Sequence, residues 1–386
     1  MRITHLCLGC FFPDGYSYQE NMLPKYHKKL GHTVSVIASL QTYDKNGHLT
    51  YIKNASSYIN ENGIPVQRLE YKKPIKAYRK LKRYVGTYEA LEMHAPEILF
   101  IHGCQFLDVD VIIKYKKRHP NLKIYVDNHA DFKNSGKGFI SKNIMHKIVW
   151  KNVAQRLTPY TEMFYGVLPA RVGFLTDVYR IPEKKVKLLC IGADDEFVEK
   201  YSSLEIRHAN RQSLGFSDND IVIITGGKIN SNRPETLELM KAIIECSNSD
   251  IKLLVFGVVD DALKEEFNKL CGNPKIKYIG WLTAEQTYEY IAISDLVVFP
   301  GLHSVMWEQA VAQGIPCVFR KIPGFDHVNI GGNAYFCDDV TQLGLKRAIS
   351  DIFENKSNYL EMKKCAMKDE RKKFLYSEIA KKCIDE

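Results

Sequence analysis

Short runs of β-branched and aliphatic residues alternate with amphipathic stretches, and the alternation is completed twice along the chain. Strand patterns fall at 3–8, 33–38, 66–69, 98–102 and 123–127, and again at 221–225, 252–256, 276–279, 296–299 and 316–319. Helical periodicity lies between them. It covers 20–30, closed by Gly31, then a face of Leu237, Met240, Ile243 and Ile244 behind Pro234, then 263–271, 284–292 and a segment from Ser304 to Gly314. Pro24 suits only a first turn, so the regular part of the first helix is expected from Leu23. Parallel strands need long crossovers, usually helices. The pattern therefore predicts an α/β chain of two doubly wound domains, and 386 residues is a length that two such domains fill. The expected division is 1–192, 193–368 and a C-terminal helical segment, 369–386, packing back toward the first domain. The stretch 41–63 reads as a long loop, and 201–219 carries no sheet pattern. Sheets of this kind take ligands at the carboxyl ends of their strands, here in a cleft between the domains.

Composition removes several function classes. No apolar run approaches the ~20 residues of a membrane-spanning helix, and the N-terminus opens as a strand rather than as a signal peptide. The 10 cysteines are scattered; Cys7 and Cys10 form the one close pair, and no further pair completes a zinc set. Free thiols in a reducing cytosol are expected, without disulfides. A net charge of +9 suits phosphates or an anionic membrane surface and does not demand nucleic acid.

Two motifs carry chemistry. The first is Gly226-Gly227-Lys228-Ile229-Asn230-Ser231-Asn232-Arg233-Pro234, after a strand and before a helix. Glycines let a backbone approach a ligand, helix amides favour an anion, and Lys228 with Arg233 can neutralise much of a diphosphate. A solvated turn with two surface cations is the plain alternative. The second runs from Phe299 to Pro316, again strand, glycine turn and helix. Amides at His303, Ser304 and Val305 would receive phosphate or sugar hydroxyls. Glu308 lies one helical turn beyond Ser304, where a carboxylate can accept both hydroxyls of a ribose; a glutamate that only suits its helix end is the alternative.

In this order the motifs resemble the C-terminal domain of glycosyltransferases of the GT-B fold, closest to family 4. Lys228 and Arg233 keep that family's spacing of its two cations, and Glu308-Gln309-Ala310-Val311-Ala312-Gln313-Gly314-Ile315-Pro316 matches its glutamate-bearing helix. Asp295 matches the aspartate before its buried strand, and Gly280-Trp281-Leu282 its base-contacting loop. The likeness extends through Tyr18-Gln19-Glu20-Asn21, Leu30-Gly31-His32-Thr33-Val34, Asp127-Asn128-His129-Ala130-Asp131 and the joining segment that ends in Gly192-Ala193-Asp194. It implies two Rossmann-like domains facing across a cleft and a retaining transfer from a nucleotide sugar, with uridine as the base. One departure stands out. Family members usually carry a second glutamate eight positions earlier, and here Pro300 precedes Glu308, and Gly301 precedes Gln309, by that interval. The missing contact passes to His303 or to backbone amides. Whether Glu308 or Gln309 faces the ribose stays open, with Glu308 favoured as the double acceptor.

In the first domain the resemblance places Gly15, in Phe12-Pro13-Asp14-Gly15-Tyr16, on the donor diphosphate, and His129 on the transferred sugar, where a neutral imidazole can face a developing oxocarbenium ion. A plain loop glycine and a structural histidine are the alternatives. His102, Glu20 and Asn21 are weaker acceptor-side candidates, as is Asp131, while Asp127 supports strand-end geometry. The stretch 71–84 is basic and aromatic. Its Lys72, Lys73, Lys76, Arg79 and Lys80 would meet an anionic bilayer or a lipid-linked acceptor. A second cationic stretch, 133–151, carries Ile140, Ile144, Ile148 and Trp150. No paired-aspartate metal motif is present, so the expectation is a metal-independent enzyme without a cofactor, using a nucleotide sugar as co-substrate. It would act in the cytoplasm at the inner face of the membrane, on a saccharide or lipid-linked acceptor. A nucleotide-sugar epimerase and a non-catalytic scaffold subunit of the same architecture are the competing readings.

Overall fold

The structure, a computed structural model, describes residues 1–43, 48–132, 135, 138–231 and 233–385. Lys133 of the second basic stretch, Asn232 of the glycine-led loop and residues 44–47 of the 41–63 stretch lie outside the described residues.

The chain divides into two compact units, Met1–Ile191 with Tyr376–Glu386, and Gly192–Leu375. The return to the first unit thus begins at Tyr376 rather than at 369. Asp369–Phe374 is a 3₁₀ segment packed on the Met306–Ala312 helix of the second unit.

The first unit contains β1 (Arg2–Cys7), β2 (Thr33–Ala38), β3 (Gln41–Tyr43), β4 (Leu49–Tyr51), β5 (Ser56–Ile59), β6 (Pro65–Arg68), β7 (Ile98–His102), β8 (Lys123–Asn128), β9 (Met163–Gly166) and β10 (Val186–Leu188). Its sheet order is β10-β9-β8-β7-β1-β2-β6-β5, parallel except for β5 against β6. The 41–63 stretch is therefore not a bare loop. Gln41 pairs with Tyr51 in the β3–β4 hairpin, and β5 extends the sheet edge. The Gln19–Lys29 helix starts well before Leu23 and takes Pro24 into its interior. Only the amide that would bond the Glu20 carbonyl is lost, and the helix's buried face, with Met22, Leu23 and Tyr26 beside Ile3 and Phe100, outweighs it.

The second unit contains β11 (Ile221–Ile229), β12 (Ile251–Val259), β13 (Ile276–Tyr278), β14 (Leu296–Phe299), β15 (Cys317–Arg320) and β16 (Ala334–Cys337), in the wholly parallel order β13-β12-β11-β14-β15-β16. Its strands are near-continuous buried runs such as Leu253-Leu254-Val255-Phe256, as a sheet covered on both faces requires. The chain order reverses between β11 and β14. At that switch the loops after the two strands run in opposite directions and open a crevice. In the first unit the same reversal falls between β1 and β7, which pair from Ile3–Ile98 to Leu6–Ile101.

Candidate functional site

Beside the switch point of the second unit, three glycines stand in a row, Gly227 and Gly257 on adjacent strands and Gly280 just past the end of β13. Gly227 on β11 is in register with Gly257 on β12, and the Gly257 amide donates to the Gly280 carbonyl at 2.7 Å. A Cβ on Gly257 would sit 1.9 Å from the Gly227 carbonyl oxygen, and one on Gly226 would strike Phe256 at 2.5 Å. These two glycines are therefore demanded by strand packing. Gly227 shares a positive φ with Gly257, 125° against 122°, but differs in its space: the nearest atom to a Cβ there is Met306 Cε at 3.9 Å. The row leaves a low ledge flanked by Lys228 on one side and Trp281 on the other.

Lys228 and Arg233 are both exposed: Lys228 stands near the end of β11, which runs past the strand end expected at 225, and Arg233 closes the turn after it, its amide donating to the Asn230 carbonyl at 2.7 Å. Neither side chain has a hydrogen bond or ion pair among the described residues. Trp281 is 66% exposed, while Leu282 beside it is buried. Of the two base-site candidates, then, only Trp281 offers a face, and Leu282 anchors its loop.

The second motif is built differently from what its residues promise. His303, Ser304 and Val305 lie half-buried between β14 and the Met306–Ala312 helix, whose first amides have no intrahelical acceptor. Glu308 has no exposed surface. Its Oε1 accepts from His303 Nε2 at 2.8 Å and from His327 Nε2 at 2.7 Å, and its Oε2 is enclosed without a partner. Burial opposes its charge, yet the two imidazoles hold the carboxyl below its ordinary range. A ribose cannot reach such a group, so the ribose role expected for Glu308 is corrected: this carboxylate ties the loop after β14 to the loop after β15. Gln309 is buried too, bonded to the Tyr288 hydroxyl. His303 commits one ring nitrogen, Nε2, to the clamp. His327 was missed because no motif surrounds it and its partner lies 19 residues away.

In the first unit, His129 follows β8 and is partly exposed, at 31% of its side chain. Its Nε2 faces Asp127 Oδ2 at 3.4 Å; burial opposes its charge, but Asp127 raises its pKa. Asp127 also accepts from the Gly103 amide at 3.1 Å and from Gln19 Nε2 at 3.3 Å. His102 is fully buried with both ring nitrogens engaged, so it cannot touch an acceptor. Asp131 is bound to Arg171 Nε at 3.2 Å. Glu20 and Asn21 are buried, with Asn21 donating to the Pro13 carbonyl. Gly15 has φ 75° and open space around it, as a loop glycine should, but its amide donates to Glu61 Oε1 at 3.0 Å. The anion site expected at Gly15 is already filled by a side chain of the same unit.

The basic stretch forms the Ile75–Leu81 helix. Lys73, Lys76, Arg79 and Lys80 are exposed, Lys72 is half-buried, and Arg79 lies 4.0 Å over the Tyr51 ring. The second stretch forms the π-helix Ile140–Trp150. Its wide turn keeps residues four apart near one face, and Ile140, Ile144 and Ile148 are exposed there at 65%, 44% and 61%.

Two trios, His102–Asp127–His129 and His303–Glu308–His327, bring ligand-type atoms within 4.8 Å of one another. Tetrahedral zinc with bonds of about 2.0–2.1 Å holds its ligands about 3.3 Å apart. The 2.7–2.8 Å separations at His102, His303 and His327 are shorter and are hydrogen bonds. A cavity of about 530 Å³, lined by Arg207, Asp295, Gly314, Pro316 and Tyr359, lies at the amino ends of β14 and β15, away from the ledge.

Residues 206–369 match the family described as glycosyl transferases group 1. The match covers less than half of the chain and falls wholly within the second unit. The matched segment holds the ledge, both cations and the Glu308 clamp. An uncharacterised glycosyltransferase of Methanocaldococcus jannaschii is 22% identical over 152 residues, which span 38% of this chain and 39% of that relative's length. Among solved structures, Anabaena HepE in complex with UDP matches with a TM-score of 0.68 at 14% identity, over 99% of this chain and 98% of that one. Sucrose-phosphate synthase of Thermosynechococcus elongatus matches at 0.65 and 14%, over 98% and 96%. The UDP-GlcNAc 2-epimerase of Neisseria meningitidis, bound to UDP-GlcNAc, matches at 0.65 and 12%, over 100% and 99%. The chain thus has the GT-B fold, its first Rossmann-like unit carrying His129 and its second the segment matched by the family.

Proposed function

We propose that this chain transfers a sugar from a uridine-diphosphate sugar to a hydroxyl of a saccharide or lipid-linked acceptor, in the assembly of surface polysaccharide or glycolipid. The observation that carries the reading is the pair of exposed, uncommitted cations, Lys228 at the end of β11 and Arg233 on the turn after it, in the segment that matches group 1 glycosyl transferases. They neutralise the departing diphosphate and stand in for a metal there. The backbone at Gly227, Ser304 and Val305 lies against the phosphates, and Trp281 stacks on the base. His303 and His129 meet the transferred sugar, and its configuration is retained. UDP in the Anabaena relative supports the choice of nucleotide. The Ile140–Ile148 face and the lysines of 72–80 support a peripheral contact with anionic lipid at the inner membrane face. Isothermal titration of UDP and UDP-sugars tests the donor site: Lys228→Ala and Arg233→Ala each weaken binding by roughly 1.5–3 kcal/mol. Unchanged affinity in both, or neither transfer nor hydrolysis with any nucleotide sugar, counts against the proposal. An epimerase, favoured by the Neisseria likeness, would instead bring solvent deuterium into the sugar without an acceptor.

A further inference from the structure

Behind His129 the first unit holds a buried string of three imidazoles that sugar transfer does not by itself call for. It begins at the C-terminal helix, Tyr376–Lys382, where the Ala380 carbonyl lies 2.9 Å from His27 Nε2. His27 Nδ1 lies 2.9 Å from His5 Nε2, His5 Nδ1 3.0 Å from His102 Nε2, and His102 Nδ1 2.7 Å from Asp127 Oδ2. His5, His27, His102 and Asp127 are all fully buried.

The protons of this string can be counted. Its two ends, a carbonyl and a carboxylate, only accept. Four hydrogen bonds joined end to end need four protons, and three neutral imidazoles own three. The string therefore carries one proton in excess, that is, one imidazolium. Its place follows from electrostatics. A cation at His27 would face only a carbonyl and the Cys383 thiol at 3.5 Å, whereas a cation at His102 lies against a carboxylate. His102 is raised to about 9: burial opposes its charge, but Asp127, with smaller help from Cys7 and Glu20, outweighs burial. His27 is pushed down to about 3, chiefly by burial.

We propose that this string is a positioning device for His129: one excess proton, stationed on His102 and held there by His5, His27 and the Ala380 carbonyl, keeps Asp127 ionised and aimed at His129 Nε2. With its charge balanced by His102, Asp127 faces His129 Nε2 at 3.4 Å and favours the proton on that nitrogen. The C-terminal helix thereby belongs to the site, through one carbonyl oxygen. The inference rests on the reading that His129 acts on the sugar, but the protonation pattern can be measured without it.

The test uses the full chain with nitrogen-15-labelled histidine, with ring protonation read by NMR at pH 8. The expected result is one doubly protonated ring at His102, with His5 and His27 as neutral Nε2–H tautomers. His27→Gln, whose amide offers the same donor and acceptor, keeps the charge on His102, and His27→Phe releases it. Neutral rings at all three positions, or the charge at His27, overturns the proposal. In the transfer assay, His102→Gln lowers kcat about 100-fold with donor KM changed less than twofold, and shifts the acid limb of the pH profile upward. An unchanged kcat and pH profile in that variant also overturns it. A wild-type protein that transfers nothing counts against the sugar-transfer reading alone, and the ring protonation then decides this one.

Discussion

Asp127 in the first unit and Glu308 in the second are both buried carboxylates held by two imidazoles, yet the same counting gives them opposite charge states. Around Glu308 there are two hydrogen bonds, and two neutral histidines supply both protons. The count requires no imidazolium to offset the carboxylate there, and Oε2 and His327 Nδ1 have no hydrogen-bond partner among the described residues. Around Asp127 the string demands a cation, and the pair is neutral. Residue types and distances are nearly alike; what differs is whether the far side of each imidazole ends on an acceptor. The exposed groups of the two units differ as well. The second presents Lys228, Arg233 and Trp281 outward without internal partners, while the first keeps its decisive charges inside.

Amide substitution is the strongest way to break this comparison. Asp127→Asn strands the His102 cation in the interior, which costs about 3–5 kcal/mol. Glu308→Gln removes a carboxylate that the count leaves without an imidazolium and keeps an oxygen for one histidine, so its cost is about 1–2 kcal/mol, that of a weakened hydrogen bond. Urea unfolding decides between them, with Trp150 reporting on the first unit. Equal losses in the two variants would show that the proton count does not set the charges.

Proton linkage gives the next effect. His27, lowered to about 3, and His5, also lowered, stay neutral in the fold, mainly because of burial. The unfolded chain protonates both below about pH 6.5, so stability falls as pH drops, by about 1.4 kcal/mol per pH unit for each group. His102 has the opposite sign. Its folded value of about 9 lies above the unfolded one, so its contribution is complete below about pH 6.5 and is lost as pH rises through 9. First-unit stability should therefore peak between these limits. In His27→Phe the acid-side slope should lose one proton, and an unchanged slope would contradict the neutral assignment.

Much of this architecture is legible in the sequence because it is local. β2, β7 and β14 fall where hydrophobic runs place them, whereas β11 runs past its expected end at 225 to Ile229 and takes Lys228 into the strand, leaving Arg233 on the turn. Failures came where an interaction spans the chain. Glu308 reads as a ribose ligand from its helix position, and only His327, folded back from beyond β15, reveals it as a clamp. Gly15 reads as an anion site until Glu61 takes its amide. The imidazole string joins residues 5, 27, 102, 127 and 380, and no window of sequence contains two of its bonds. Glycine roles were blurred for a related reason. A glycine demanded by a neighbouring strand, such as Gly226, looks in sequence like one demanded by a ligand.

The smallest expected effect on stability sharpens the outward-facing half of the comparison. Trp281 is mostly exposed on a loop that Leu282 anchors, so Trp281→Ala should leave the unfolding midpoint within about 0.5 kcal/mol of wild type. If its ring stacks on the base, the same substitution costs about 1–3 kcal/mol of nucleotide affinity, while free pyrophosphate, which has no base, binds as before. Parallel titrations of UDP and pyrophosphate separate the outcomes. Loss for UDP alone places the base on the ledge's Trp281 side and the phosphates on its Lys228 side. Equal loss for both would mean that Trp281 supports the cation turn rather than the base, and the division of labour along the glycine row would have to be redrawn.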